Sequence, residues 1–126
     1  MIKMYLSIAL GGALGACLRF FISDTMLKLL GRGFPFGTLT VNIIGSLLLG
    51  VVFGLLEKQV LAVSPYKSLI VIGFLGALTT FSTFSMDSLL LLQQGQIVKM
   101  ILNITLNVVL CIFMAWLGLN LVMQKG

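Results

Sequence analysis

The chain has 126 residues, 60% of them hydrophobic and only 9% charged, with a mean hydropathy of +1.19. A soluble domain carries roughly 25% charged residues, so this composition excludes one and indicates an integral membrane protein. The net charge of +5 comes from eight Lys and Arg scattered singly along the chain, which excludes the clustered basic surface that nucleic acid requires.

A bilayer crossing takes about 20 apolar residues, and four crossings account for most of the sequence. The expected architecture is all-α, with a single transmembrane domain over 1–126 and helices near residues 4–29, 38–56, 67–92 and 98–123. The start imitates a signal peptide, and Leu14-Gly15-Ala16-Cys17 resembles a lipoprotein box. The apolar run nevertheless continues through Phe20 and Phe21, so an uncleaved first helix is expected. Gly11, Gly15 and Arg19 fall on one face of that helix at i, i+4 and i+8. The two glycines read as a close packing seam. Arg19 has two compatible readings: it snorkels to the nearer interface as an anchor, or it sets a positive potential at an aqueous vestibule.

Pro35 and Gly37 open the second helix, where Thr38, Asn42, Ser46, Gly50 and Gly54 form one small and polar stripe. Packing accounts for Ser46 and the glycines. A carboxamide at membrane depth needs hydrogen-bond partners and can donate to an anion, so Asn42 is a candidate functional residue. Residues 57–66 form the second loop, with Pro65 just ahead of the third helix.

Within the third apolar run, Gly73 to Ser85 reads GFLGALTTFSTFS, with five hydroxyls (Thr79, Thr80, Ser82, Thr83, Ser85) in seven residues. Polar groups in hydrocarbon are costly unless they find partners or line a wet cavity. Glycines followed by hydroxyls also suit a helix break at membrane depth, where freed carbonyls must bind something. The stretch therefore reads as an ion site. The fourth helix aligns Asn103, Asn107 and Cys111 in a milder polar stripe. Cys17 and Cys111, both inside apolar runs, are expected to be buried free thiols.

The chain has no His, and Asp24, Glu57 and Asp87 are far apart in sequence. No Walker A loop, HExxH or nucleophile elbow occurs, so no enzyme and no catalytic residues are expected. All connections are short, and their cations can be counted by side. Lys3, Lys58, Lys67 and Lys125 oppose Lys28, Arg32 and Lys99, with Arg19 able to level the count. A balanced chain inserts both ways round, and opposite orientations can pair as an antiparallel dual-topology dimer.

Three segments in order, GGALGACLR at 11–19, GTLTVNIIGS at 37–46 and GFLGALTTFSTFS at 73–85, resemble signatures of the small bacterial fluoride channels of the Fluc (CrcB) type. The resemblance spans essentially the whole chain, and the third motif is the most specific. It implies a dual-topology homodimer in the bacterial inner membrane that exports fluoride passively and carries a central structural sodium ion. It further implies that Gly76 and Thr79 offer backbone carbonyls to the sodium. Phe81 and Phe84 would line the anion pathway with Asn42, Ser82 and Thr83 as polar neighbours. Arg19 would match the family's first-helix arginine, with Asn107 and Cys111 as further pathway positions. Ala77 stands where a second glycine is common, and Asp87 where Glu is expected. A phenylalanine ring is positive at its edge, which suits a dehydrated fluoride, and a ring of carbonyl oxygens suits a monovalent cation.

Two other readings compete. A small dual-topology multidrug exporter needs a membrane-embedded carboxylate, normally in the first helix, which here holds Arg19 and only Asp24 near its end. A non-transporting, holin-like assembly protein would explain the small-residue seams but not the clustered hydroxyls beside Asn42.

Overall fold

The computed structural model describes residues 1–58 and 67–124, all helix or short connection. Pro65, the loop ahead of it and Lys125 therefore lie outside the described residues. The elements are α1 (Ile2–Leu30), α2 (Phe36–Glu57), a π-helical segment (Lys67–Leu75), α3 (Gly76–Leu78), α4 (Phe81–Gln93), α5 (Ile97–Thr105), a π-helical turn (Leu106–Leu110) and α6 (Cys111–Gln124). They make four spans long and apolar enough to cross a bilayer: Ile2–Leu30, Phe36–Glu57, Lys67–Gln93 and Ile97–Gln124. Each expected helix is present, with ends within two residues of the expected ones. The chain is a multi-pass membrane protein.

The helix ends follow from local chemistry. Gly31 takes φ 80° after α1, and its N–H donates to the Leu27 carbonyl at 2.9 Å. Pro35 then starts α2 at the next residue, where a missing N–H costs nothing. Gly95, at φ 74°, closes α4. Its N–H donates to Leu92 and that of Gln96 to Leu91, the paired bonds of a Schellman ending.

Between lipid-facing helices there is no hydrophobic drive, so packing relies on close backbone approach. α1 lies along the π-helical segment, and a side chain at Gly11 would strike the Leu69 carbonyl and one at Gly15 the Phe74 carbonyl. α2 lies along α6 by the same device: Gly50 faces the Ala115 carbonyl and Gly118 the Leu47 carbonyl. A small apolar core of Val41, Leu75 and Leu78 sits between, with Leu18, Ile22, Leu49 and Phe74 against it. Most large apolar side chains, such as Leu10, Phe20, Ile101 and Ile112, point outward, as lipid contact requires. Lys58 joins the second seam at its end by donating to the Val122 carbonyl at 2.7 Å.

The seams make a direct prediction. Gly118→Ala forces α2 and α6 apart and is expected to destabilise the chain by about 1–3 kcal/mol. Gly12→Ala, where the nearest atom lies 4.0 Å from the added carbon, is expected to leave stability unchanged. Thermal denaturation in detergent compares the two, and equal midpoints would contradict the seam.

Two expectations need correction. Neither thiol is fully buried: Cys111 is half-buried, and Cys17 is exposed, because two residues beyond Gly15 turn it about 200° away from the packed face. The break in the third span is also smaller than expected. Only Thr79 (φ −83°, ψ 156°) and Thr80 (φ −150°, ψ 122°) leave the helix, and the span is only slightly bent. Hydrogen bonding is interrupted there while the direction of the chain is nearly kept.

Candidate functional site

Two extended residues inside a membrane span leave backbone groups without helical partners, and each must be met from elsewhere. Thr80 is met twice by one side chain. Its N–H donates to the Asn42 carboxamide oxygen at 2.9 Å, and its carbonyl accepts from Asn42 Nδ2 at 3.2 Å. The carboxamide thus substitutes for a peptide unit. Because the Thr80 N–H goes to Asn42, the Gly76 carbonyl loses the i+4 donor that a continuous helix would give it.

Side chains also finish the two helix ends at the break. Thr80 acts as N-cap of α4, its hydroxyl accepting from the Thr83 N–H at 3.2 Å. Such a cap typically contributes about 1 kcal/mol. Thr79 Oγ1 turns back to the Leu75 carbonyl at 3.0 Å. Arg19 donates from Nε to the Ala77 carbonyl at 2.9 Å, a cation at the C-terminal end of the first half-helix, where the helix dipole favours it. Arg19 therefore reaches the break itself from α1.

Asn42 also donates to Asn107 Oδ1 at 2.9 Å, so both of its amide hydrogens are engaged within the chain. Asn107 in turn donates to the Asn103 carbonyl at 2.8 Å and to Asn103 Oδ1 at 3.0 Å. Asn103 donates to the Ser88 hydroxyl at 3.0 Å, and Ser88 to the Phe84 carbonyl at 2.9 Å. The i, i+4 spacing of Asn103 and Asn107 made their shared face visible in the sequence. Ser88, one more hydroxyl on a helix rich in them, gave no distinguishing signal. Nor did the pairing of the buried Thr38 hydroxyl with Asp87 Oδ2 at 2.8 Å, which joins residues 49 apart.

Part of this network borders a cavity of about 340 Å³ between α2 and the third and fourth spans. Of the residues singled out from the sequence, Asn42, Gly76, Thr79, Phe81, Phe84, Asn107 and Cys111 line it, together with Thr80 and Ser46. The Phe81 and Phe84 rings are 5.5 Å apart and tilted by 59°, a geometry that turns an edge of one toward the other. Thr83 lines a second cavity of about 540 Å³ with Thr38, Asp87 and Arg32. Ser82 is exposed and lines neither of these, though its hydroxyl lies 3.5 Å from that of Thr80. The site thus combines hydroxyls, a clamped carboxamide, an aromatic pair and carbonyls released from helical bonding.

The family model described as CrcB-like protein, Camphor Resistance (CrcB), matches residues 6–119. The chain belongs to the CrcB family. Three relatives, each named a fluoride-specific ion channel FluC, align along nearly their whole length. That of Pseudoalteromonas translucida is 78% identical over 119 residues, 94% of this chain and 99% of its own. Those of Vibrio parahaemolyticus and Vibrio campbellii are 57% and 56% identical over 118 residues, each covering 94% of this chain and 93% of the relative. In this CrcB protein the matched region includes all the residues of the break and of the smaller cavity.

Proposed function

We propose that this protein is a fluoride channel that lets the ion leave the cell passively. The observation that carries the reading is the cavity at the helix break, where Phe81 and Phe84 share one space with the polar side chains of three spans. The relatives named as fluoride-specific channels support it across 94% of the chain. A fluoride ion sheds water only where other positive edges or donors replace it. The ring edges supply the first, and the hydroxyls of Ser82 and Thr83 supply the second. Arg19, at the same depth as the break, favours an anion over a cation.

The working unit in this reading is an antiparallel homodimer in the bacterial inner membrane. The near-balance of cations on the two sides supports dual insertion, and Gly76 and Phe81 are exposed in the single chain, as a surface awaiting a second copy would be. A sodium ion at the centre of the pair is part of the same proposal. The residues fit it: Gly76 carries a carbonyl without its helical donor, and Thr79, in extended conformation, turns its carbonyl out of the helical ladder. When bound, the ion would supply a fixed positive charge tying two subunits together.

Purified protein in liposomes is expected to release fluoride and retain chloride, measured with ion-selective electrodes. Release of neither ion would overturn the reading in favour of an assembly role, and proton-driven release of organic cations would favour an exporter. Reporter fusions at the C-terminus are expected to give both cytoplasmic and exported populations. A single orientation in all molecules would remove the antiparallel homodimer.

A further inference from the structure

We propose that Ser88 and Asn103 are positioning residues for the aromatic pair, closing a hydrogen-bonded loop that fixes the rotation of α4 about its own axis. The inference rests on the channel reading above and extends it to two residues outside the cavity at the break. Asn103 is fully buried and Ser88 is 9% exposed, and neither lines the cavity at the break.

The break itself creates the need. An unbroken helix would transmit the rotational setting of its first half to its second. Thr79 and Thr80 are extended, so α4 starts afresh and its setting must come from contacts of its own. Two anchors bracket the pair. Below Phe81, Asn42 grips the Thr80 backbone on both sides. Above Phe84, Ser88 joins the Phe84 carbonyl to Asn103 on the fourth span. Phe81, Phe84 and Ser88 lie at i, i+3 and i+7, one stripe of the helix, so a bond that holds Ser88 also sets where the rings point.

The anchors belong to one circuit with a single direction of donation. It runs from the Thr80 N–H to Asn42, from Asn42 to Asn107, from Asn107 to Asn103, from Asn103 to Ser88, and ends at the Phe84 carbonyl. Every carboxamide both accepts and donates within it. Asn42 and Asn107 have each committed both amide hydrogens, so in this arrangement they serve alignment. Hydrogen bonds aligned head to tail in a low-dielectric interior strengthen one another, which favours a circuit that holds one setting.

The test compares Ser88→Thr with Ser88→Val. The two side chains have the same shape, and only Thr keeps a hydroxyl able to donate to the Phe84 carbonyl. Fluoride efflux per folded protein is expected to stay near wild type in Ser88→Thr and to fall about tenfold in Ser88→Val, the fold-change that corresponds to one such bond. A purely structural role would lower folded yield without lowering efflux per folded molecule. A second measurement does not depend on conduction. With 4-fluorophenylalanine at position 84 alone, the fluorine resonance is expected to shift or broaden in Ser88→Val and Asn103→Leu, and to return in Ser88→Thr. Equal efflux in the two Ser88 variants together with an unmoved fluorine line would overturn the proposal. If the wild-type protein itself passes no fluoride, the channel reading falls, and the fluorine line alone still decides whether the circuit sets the ring.

Discussion

Phe81→Ile and Phe84→Ile are each expected to stop fluoride efflux while leaving a folded protein. The two rings are 5.5 Å apart and tilted at the cavity beside the break, and an aliphatic side chain of similar bulk offers no positive edge to an ion that has lost water. Losing such a preorganised electrostatic contact costs about 2.7–4 kcal/mol at a barrier, or roughly a hundredfold to a thousandfold in rate. Folding is much less affected. Phe81 is 77% exposed in the chain, so its replacement removes little packing, and the main seams lie at Gly11, Gly15, Gly50 and Gly118. Were the rings ordinary core, truncation would instead cost about 3–5 kcal/mol of stability each. Efflux from liposomes and elution from a sizing column are measured side by side. Normal efflux from well-folded protein in both variants would remove the aromatic pathway.

Asn42→Leu has the second large expectation, and it acts on a different quantity. The substitution keeps the volume but leaves the Thr80 N–H, the Thr80 carbonyl and Asn107 Oδ1 without partners. Unpaired buried groups cost about 1–3 kcal/mol each. The extended residues, left without partners, are then expected to open to exchange, with loss of both folded yield and efflux. Hydrogen exchange followed by mass spectrometry reads the event locally, because the Thr80 amide should lose its protection while those of α2 keep theirs. An equally protected Thr80 amide in the variant would show that the break is held by something else.

The four spans were legible from length and hydropathy alone, since a lipid-facing helix must be apolar nearly all round. The small-residue seams were legible too: Gly11 and Gly15 recur at the helical period, and the structure finds carbonyls against both. The clustered hydroxyls signalled a disturbance at Thr79 and Thr80, though not its modest size. Partnerships were less readable. Asn42 read as a carboxamide in need of partners, but nothing named them as Thr80 and Asn107, and nothing around Arg19 named the Ala77 carbonyl as its acceptor. Such pairings depend on how each helix is rotated, and the π-helical stretches at Lys67–Leu75 and Leu106–Leu110 shift that rotation without any mark in the hydropathy. Ser88 is the clearest case: its role exists only because Asn103, fifteen residues on, is turned to meet it.

The break at Thr79–Thr80 also bears on how the protein is made. Its exposed backbone groups are met by Asn42 from the second span and, at Ala77, by Arg19 from the first. Both partners precede the break in the chain. In a chain inserted in order, the third span therefore meets side chains already in place for its Ala77 carbonyl and for both Thr80 backbone groups, which alone in hydrocarbon would cost several kcal/mol each. Asn107 arrives last, and it meets an Asn42 already committed to Thr80. The order of synthesis and the order of hydrogen bonding run the same way.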